Sequence, residues 1–167
     1  MNYHNILHDD MLNGEGLRVV LFVSGCSHHC PNCQNPQTHP LDSGIPFTDK
    51  ERDEIFYYLS KPYIKGITFS GGDPLHKKNA QTVFDLCKKI KIAFPEKDIW
   101  VYTGYLFEEL SDDIKENLKY VDVLVDGKFK KSLFSPKQPY VGSSNQRIID
   151  IKRTYEYGEI KIRNYEQ

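Results

Sequence analysis

The sequence lacks any run of about 18 apolar residues, which is the length that a helix needs to cross a bilayer. Its first residues, MNYHNILHDDMLNGEG, are polar and do not contain the apolar centre of a secretion signal. An excess of charge is lacking as well, because 22 Lys and Arg stand against 23 Asp and Glu. This balance gives no electrostatic reason to expect binding to nucleic acid or to an anionic membrane. We therefore expect a cytoplasmic protein that acts on a protein or a small molecule.

Cysteine is scarce, but its distribution is uneven. Three of the four cysteines, Cys26, Cys30 and Cys33, fall within eight residues of the stretch GCSHHCPNCQNP. In the reducing cytoplasm such a cluster indicates metal ligands or reactive thiols rather than disulfides. Disulfides between cysteines this close would also close only very small loops. A metal site usually takes four ligands, so the three clustered cysteines leave the fourth ligand to be identified.

The length of 167 residues suits one domain with a real core and is too short for two comfortable ones. We found no internal repeat and no low-complexity tract. We therefore predict a single domain over residues 1–167, with a core of about residues 1–150 and a charged C-terminal extension over 151–167.

Strand and helix patterns alternate four times along the chain. Short apolar or β-branched runs predict strands, and apolar residues at intervals of three and four predict helices. The predicted strands are 17–25, 65–74 with its glycine turn, 98–104 and 121–129. Three helices are predicted. The first begins at the capping box Thr48–Glu51, and the second covers 79–94. The third contains the apolar residues Phe107, Leu110, Ile114 and Leu118.

This alternation predicts an α/β fold of parallel strands with right-handed helical crossovers, whose site lies beyond the carboxyl ends of the strands. A complete eight-unit barrel needs about 200–250 residues. We therefore expect an open, partial (βα) barrel or a short open sheet. The pattern weakens after residue 130, where RIIDI (147–151) is a plausible strand and YEYGEIKI (155–162) a possible edge strand.

The cysteine cluster is compatible with zinc or with an iron–sulfur cluster, since both bind soft thiolates. A structural zinc site often pairs two knuckles, and here only His28, His29 or His39 is available as the fourth ligand. An electron-transfer [4Fe–4S] site needs a fourth cysteine, and Cys87 lies on the apolar face of a predicted helix, where we expect it in the core. We expect His28 and His29 to be exposed or in contact with a partner. Three cysteines then leave one coordination position open, as catalytic metal sites do for substrate.

The spacing Cys26-x3-Cys30-x2-Cys33 resembles the signature of the radical S-adenosylmethionine enzymes. Within that superfamily, five segments are similar to those of the anaerobic ribonucleoside-triphosphate reductase-activating proteins. They occur in the same order over residues 1–150: NGEGLRVVLFVSGCSHHCPNCQNPQT, SGGDPLH, KDIWVYTGY, VLVDGKF and GSSNQRIID.

The resemblance implies a fold, two cofactors and a reaction. The fold is the open, partial barrel of the radical S-adenosylmethionine type. Cys26, Cys30 and Cys33 would hold a [4Fe–4S] cluster, and the amino and carboxylate groups of S-adenosylmethionine would chelate its fourth iron. Reductive cleavage would release a 5′-deoxyadenosyl radical, which removes a hydrogen atom from a glycine of the reductase. No separate acid–base pair is required.

The same resemblance names partners and further site residues. The partners are the large subunit of anaerobic ribonucleoside-triphosphate reductase and an electron donor such as a flavodoxin or ferredoxin. Gly71, Gly72 and Asp73 would line the methionine end of S-adenosylmethionine. Asn32 stands where many radical S-adenosylmethionine enzymes have an aromatic residue near the adenine. The adenine contact would therefore fall to the backbone of Asn32, Cys33 and Gln34, or to some other side chain.

Asp126 and Lys128 follow the fourth predicted strand, a favoured position for site residues in parallel α/β folds. Asp-Gly is also a common turn, so a cofactor contact and a plain turn remain equally open. Two other classes of protein also remain open. A zinc-binding interaction module would be colourless and free of acid-labile sulfide, and an electron carrier would have a fourth protein ligand on its cluster.

Overall fold

The computed structural model describes residues 1–165 and contains one seven-stranded sheet with the order β3-β1-β2-β4-β5-β6-β7. The strands are β1 (Asn2–Asp10), β2 (Arg18–Val23), β3 (Ile45–Pro46), β4 (Gly66–Gly71), β5 (Asp98–Tyr102), β6 (Val123–Asp126) and β7 (Arg147–Asp150). The α-helices are α1 (Asp49–Leu59), α2 (Ala80–Ala93), α3 (Asp112–Asn117) and α4 (Ile151–Tyr157). The α/β class predicted from the sequence is confirmed.

Four central strands, β2, β4, β5 and β6, are parallel. They are the four predicted from apolar runs, and β2 is almost wholly buried because helices cover one face and loops the other. Because they run in the same direction, their carboxyl ends lie together on one side of the molecule.

The prediction that all strands are parallel is wrong at both edges of the sheet. β1 pairs antiparallel with β2 and β3, and β7 pairs antiparallel with β6. A parallel neighbour requires a crossover of a dozen or more residues, usually helical. The link from β1 to β2 is too short for one, and the link from β6 to β7 contains no α-helix. The sheet is therefore mixed and not closed.

The sheet separates two cores. Side chains of β2, β4 and β5 pack against α1 and α2 in the larger one, which contains Cys87. Cys87 is fully buried, so its assignment to the core is confirmed. The smaller core lies on the opposite face around Trp100, with the rings of Tyr140 and Tyr165 packed against it.

The capping box is confirmed at the start of α1, where the amide of Thr48 donates to Glu51. The third predicted helix is wrong as a single element, because Ser111 is extended and caps α3 while Phe107–Glu109 and Leu118–Tyr120 form separate 3-10 turns.

The C-terminal extension differs from its prediction. RIIDI is confirmed as a strand, but the first part of YEYGEIKI belongs to α4. Gly158 ends that helix with φ 69°, a left-handed conformation that glycine adopts without steric cost. After the helix, Ile162 lies opposite Ile149 in an isolated antiparallel bridge, and the backbones of Lys161 and Arg163 form hydrogen bonds with β7. Residues 166 and 167 of the predicted extension lie outside the described residues.

Among residues 1–165, no helix is long and apolar enough to span a bilayer.

Candidate functional site

A cleft opens at the carboxyl ends of the parallel strands. Two adjoining cavities, of about 120 and 310 Å³, form it. The smaller cavity is lined by the three clustered cysteines and the turn after β4, and the larger one extends from Cys33 toward the loop that precedes β7. We call the two together the cysteine cleft. Its two cavities share the wall residues Cys33, Ser70, Tyr102, Phe129 and Gln146.

The cysteine loop is held at both of its ends by backbone hydrogen bonds. The amides of Gly25 and Cys26 donate to the carbonyls of Thr38 and His39, at 2.7 and 3.0 Å. The amide of Cys33 donates to the carbonyl of Cys30 at 3.1 Å, which closes a tight turn. All three thiols are half-buried and form no disulfide.

Asn32 occupies the left-handed region inside this turn, with φ 58°. Asparagine tolerates this conformation better than most residues. Asn32 is exposed and is not part of the cleft wall, whereas Cys33 and Gln34 line the larger cavity.

The three thiols are not gathered as closely as the ligands of a single zinc ion. Four thiolates around one tetrahedral zinc, each about 2.3 Å from it, lie roughly 3.8 Å apart. Among residues 1–165, the only group of three possible ligands with all ligand atoms within 4.8 Å of one another is Cys26, His28 and Asp73. The sulfurs of Cys26, Cys30 and Cys33 therefore do not all lie within 4.8 Å of one another in the metal-free protein. Thiolates bind both zinc and iron–sulfur clusters, so the donor type alone does not decide between them.

Burial changes the acidity of one of these thiols. It raises the pKa of Cys26 to about 11, and the backbone amide of His28 opposes this shift only in part. At neutral pH the metal-free thiol is therefore protonated. Binding of a metal must displace that proton, because the thiolate is the ligand.

The glycine turn after β4 lies against the cysteine loop. The amide of Gly72 donates to the carbonyl of Val23 at 2.8 Å, and the amide of Asp73 donates to that of Gly25 at 2.7 Å. A Cβ atom on Gly72 would lie 2.6 Å from the carbonyl oxygen of Gly25. Only glycine allows this close approach, which brings the turn and the cysteine loop together in the wall of one cavity.

Gly71 adopts φ 102°, which a residue with a side chain rarely adopts. A Cβ at this position would lie 2.6 Å from the backbone nitrogen of Val23. The two glycines thus leave bare backbone in the wall of the smaller cavity, beside the cysteines.

Asp73 lies at the same turn, but its carboxylate is engaged inside the protein. It is 1% exposed and accepts hydrogen bonds from the amide of Leu75, from Thr103 Oγ1 and from the amide of Gly104. A fourth donor is His28 Nε2, at 2.7 Å from Asp73 Oδ2. The carboxylate therefore ties the turn to the end of β5 and to the cysteine loop.

The expectation that His28 is exposed or in contact with a partner is wrong. Its side chain is only 7% exposed, because Asp73 and Tyr105 enclose it, whereas the neighbouring His29 is exposed. Two ligands of one tetrahedral zinc at about 2.0–2.1 Å would lie roughly 3.3 Å apart. The 2.7 Å between His28 and Asp73 is instead the length of a direct hydrogen bond.

Asp126 and Lys128 lie away from the walls of both cavities of the cleft. Asp126 is fully buried and accepts hydrogen bonds from the amide of Phe107 and from the guanidinium of Arg147. Lys128 is exposed. The contacts of Asp126 are thus with other parts of the protein. A cofactor contact for Asp126 or Lys128 remains a prediction.

Several residues in the wall of the cysteine cleft were not predicted from the sequence, among them Tyr102, Phe129 and Gln146. Tyr102 ends β5, so the rule that sites lie at carboxyl ends of parallel strands contained the signal. Burial raises its pKa, and its hydroxyl donates to the carbonyl of Tyr140 at 2.5 Å. Gln146 comes from the GSSNQR loop, where polar residues gave no signal that distinguished a site from a turn.

Comparison with known proteins supports an iron–sulfur site. The family model described as "4Fe-4S single cluster domain" matches residues 12–149. The chain is also 47% identical over 148 residues to the anaerobic ribonucleoside-triphosphate reductase-activating protein of Enterobacteria phage T4, covering 89% of this chain and 93% of that protein. Proteins of the same name from Escherichia coli K12 and Vibrio cholerae are 46% and 45% identical over 150 residues, covering 89% of this chain and 97% of each relative.

Proposed function

The chain belongs to the family of anaerobic ribonucleoside-triphosphate reductase-activating proteins, and from this premise we propose that it is a radical S-adenosylmethionine enzyme. It cleaves S-adenosylmethionine reductively at a [4Fe–4S] cluster and generates a glycyl radical on the large subunit of the reductase. One observation supports this proposal most strongly. Three free thiols and a glycine turn line the same cleft, at the carboxyl ends of parallel strands.

Three cysteines hold the cluster in this proposal: Cys26, Cys30 and Cys33. The hydrogen-bonded loop that carries all three and the match to the 4Fe-4S single cluster domain support this assignment. When bound, the cluster and S-adenosylmethionine supply the electron and the 5′-deoxyadenosyl radical that the protein's own side chains cannot supply. No fourth protein ligand is assigned, so one iron stays free for the substrate.

The glycine turn receives the methionine end of S-adenosylmethionine. Gly71 and Gly72 contribute backbone polar groups rather than side chains, which permits the close approach of a small ligand. Asp73 holds the turn in place through its internal hydrogen bonds. The larger cavity then takes the adenosyl part, in contact with Cys33 and Gln34 in its wall and with the adjoining backbone of Asn32.

The four parallel strands β2, β4, β5 and β6 form the short radical S-adenosylmethionine barrel in this proposal, and the antiparallel strands extend its edges. Such an open sheet leaves the cleft accessible to a partner. A carbon radical attacks whatever it meets, so the site must be closed before cleavage. The large subunit of the reductase closes it by inserting the segment that carries its glycine, and a reduced flavodoxin or ferredoxin supplies the electron.

The experiment that tests this function is anaerobic reconstitution with iron and sulfide, followed by reduction and addition of S-adenosylmethionine. We expect 5′-deoxyadenosine and methionine in equal amounts, measured by chromatography. A fully loaded cluster that yields neither product, with or without the reductase, would refute the proposal. A colourless protein that holds one zinc ion and no labile sulfide would favour the interaction module instead.

A further inference from the structure

We propose that His28 is a positioning residue that fixes the cysteine loop against the glycine turn and thereby sets where S-adenosylmethionine binds relative to the cluster. This inference rests on the proposed function, because it concerns the same cleft. It assigns a role to a side chain that is neither a cluster ligand nor a part of the bare glycine backbone.

The first observation is the hydrogen bond between His28 Nε2 and Asp73 Oδ2, at 2.7 Å. The two side chains are only 7% and 2% exposed, so water does not compete with this contact. Because a carboxylate only accepts, Nε2 of the imidazole carries the proton. Hydrogen bonds to a charged acceptor are shorter and stronger than neutral ones, particularly when both groups are buried.

The second observation is how the other donors hold the carboxylate of Asp73. Oδ1 accepts from the amide of Leu75 at 2.8 Å and from Thr103 Oγ1 at 2.9 Å, and Oδ2 accepts from the amide of Gly104 at 3.0 Å. These bonds come from the turn after β4 and from the residues that directly follow β5. His28 therefore attaches the cysteine loop to an acceptor that is already fixed.

The third observation is the fit of the imidazole ring. Tyr105 packs edge-on against it, with ring centroids 4.4 Å apart and an interplanar angle of 73°. On another side the ring lies so close to Gly104 that a Cβ there would be 2.5 Å from Cδ2 of His28. The pocket for this ring thus exists because residue 104 has no side chain.

These contacts matter because of where His28 lies in the chain, two residues after Cys26 and two residues before Cys30. Backbone hydrogen bonds anchor the loop before this point, at Gly25 and Cys26. The ring of His28 is the deepest side-chain anchor between the first two thiols. Without this ring, the thiols of Cys26 and Cys30 can move relative to Gly72. S-adenosylmethionine, which must reach both the open iron and the glycine turn, then binds less well.

The test compares His28→Leu, His28→Gln and His29→Asn. Leucine fills the pocket but donates no hydrogen bond, whereas glutamine places an N–H donor near the position of Nε2. His29→Asn removes the exposed neighbouring imidazole, and asparagine tolerates the left-handed backbone of that residue, with φ 49°. For each variant, iron content, the spin-resonance spectrum of the reduced cluster, and KM and kcat for cleavage are measured.

We expect His28→Leu to need at least tenfold more S-adenosylmethionine to shift the cluster spectrum, with a matching rise in KM and a smaller change in kcat. His28→Gln should recover to within about threefold of the original protein, and His29→Asn should not differ from it. The inference is overturned if His28→Leu responds to S-adenosylmethionine like the original protein, or if His28→Gln is as impaired as His28→Leu.

A second measurement uses the cluster-free chain and does not depend on cleavage. Hydrogen exchange of the amides of residues 26–33 should become faster in His28→Leu, while exchange in β2 and β4 stays unchanged. Gly104→Ala, which displaces the ring but keeps the imidazole, should accelerate the same amides. Unchanged exchange in the loop of both variants contradicts the inference, whereas failure of the original protein to cleave S-adenosylmethionine contradicts only the proposed function.

Discussion

At the scale of single residues, the four cysteines differ in what surrounds them. Cys30 lines the smaller cavity of the cysteine cleft and is half-buried, while Cys87 is fully buried among apolar side chains of α2. Burial raises the pKa of the Cys87 thiol well above its ordinary value. A thiol buried in the core and an accessible thiol in the cleft should respond differently to the same replacement.

Cys30→Ala should abolish assembly of the cluster, because only two of its three protein ligands remain. Cys87→Ala should leave iron content unchanged and lower the free energy of unfolding by about 1–2 kcal/mol, the cost of a small cavity. Iron and sulfide analysis after reconstitution and urea unfolding of the metal-free chains measure these effects. Loss of the cluster in Cys87→Ala would show that the assignment of three ligands is wrong.

Much of the site at this scale was predictable, because motif glycines and cysteines follow strands whose carboxyl ends meet. The burial of His28 was not, since a histidine in a polar loop has no periodicity that indicates which way it faces. Asp73 was predicted to line the cofactor, and its internal hydrogen bonds to Thr103 and Gly104 depend on a strand that lies 30 residues away.

At the scale of secondary structure elements, Asp126 joins the end of β6 to the start of β7 and to a 3-10 turn. Arg147 donates to it through Nε at 3.0 Å and through a terminal nitrogen at 2.5 Å, and the amide of Phe107 donates at 2.8 Å. Arg147 also pairs with the exposed Glu108 and lowers its pKa. Asp126 thus ties the 3-10 turn at Phe107 to the paired ends of β6 and β7.

Asp126→Asn should lower the free energy of unfolding by about 3 kcal/mol, because it breaks a buried ion pair. Glu108→Gln removes the exposed partner of the same arginine and should cost less than about 1 kcal/mol. Urea unfolding of both variants, together with the KM for S-adenosylmethionine, distinguishes the two roles that the sequence left open. A tenfold rise in KM without loss of stability in Asp126→Asn would instead favour a direct contact with the cofactor.

Elements with an unbroken pattern, such as α2 and β2, were predictable within a few residues. The third helix was not, because its apolar spacing continues across Ser111 although the backbone is extended there. In the C-terminal extension the alternation of YEYGEIKI resembled a strand, yet two capping signals favoured a helix. The side chain of Asp150 accepts from the amide of Arg153 at the start of α4, and Gly158 ends it.

At the scale of the whole molecule, the sheet is open, and the cysteine cleft lies beyond the carboxyl ends of its parallel strands. The parallel strands place the cysteine loop, the glycine turn and the end of β5 together, and the antiparallel strands extend the sheet on both sides. The direction of those edge strands could not be read from apolar pattern, since a short strand looks the same in either orientation. Their loops nevertheless contribute to the cleft, as Leu12 and Val141 line its larger cavity.

In the proposed reaction, the 5′-deoxyadenosyl radical removes hydrogen from a glycine of the reductase. The most direct measurement uses the large subunit prepared with glycine deuterated at its α-carbon. After anaerobic reaction with the reduced, cluster-loaded protein, 5′-deoxyadenosine is isolated and its mass is determined. We predict that it carries one deuterium atom and that a glycyl radical appears in the reductase by spin resonance. Unlabelled 5′-deoxyadenosine formed in the same complex would contradict the account.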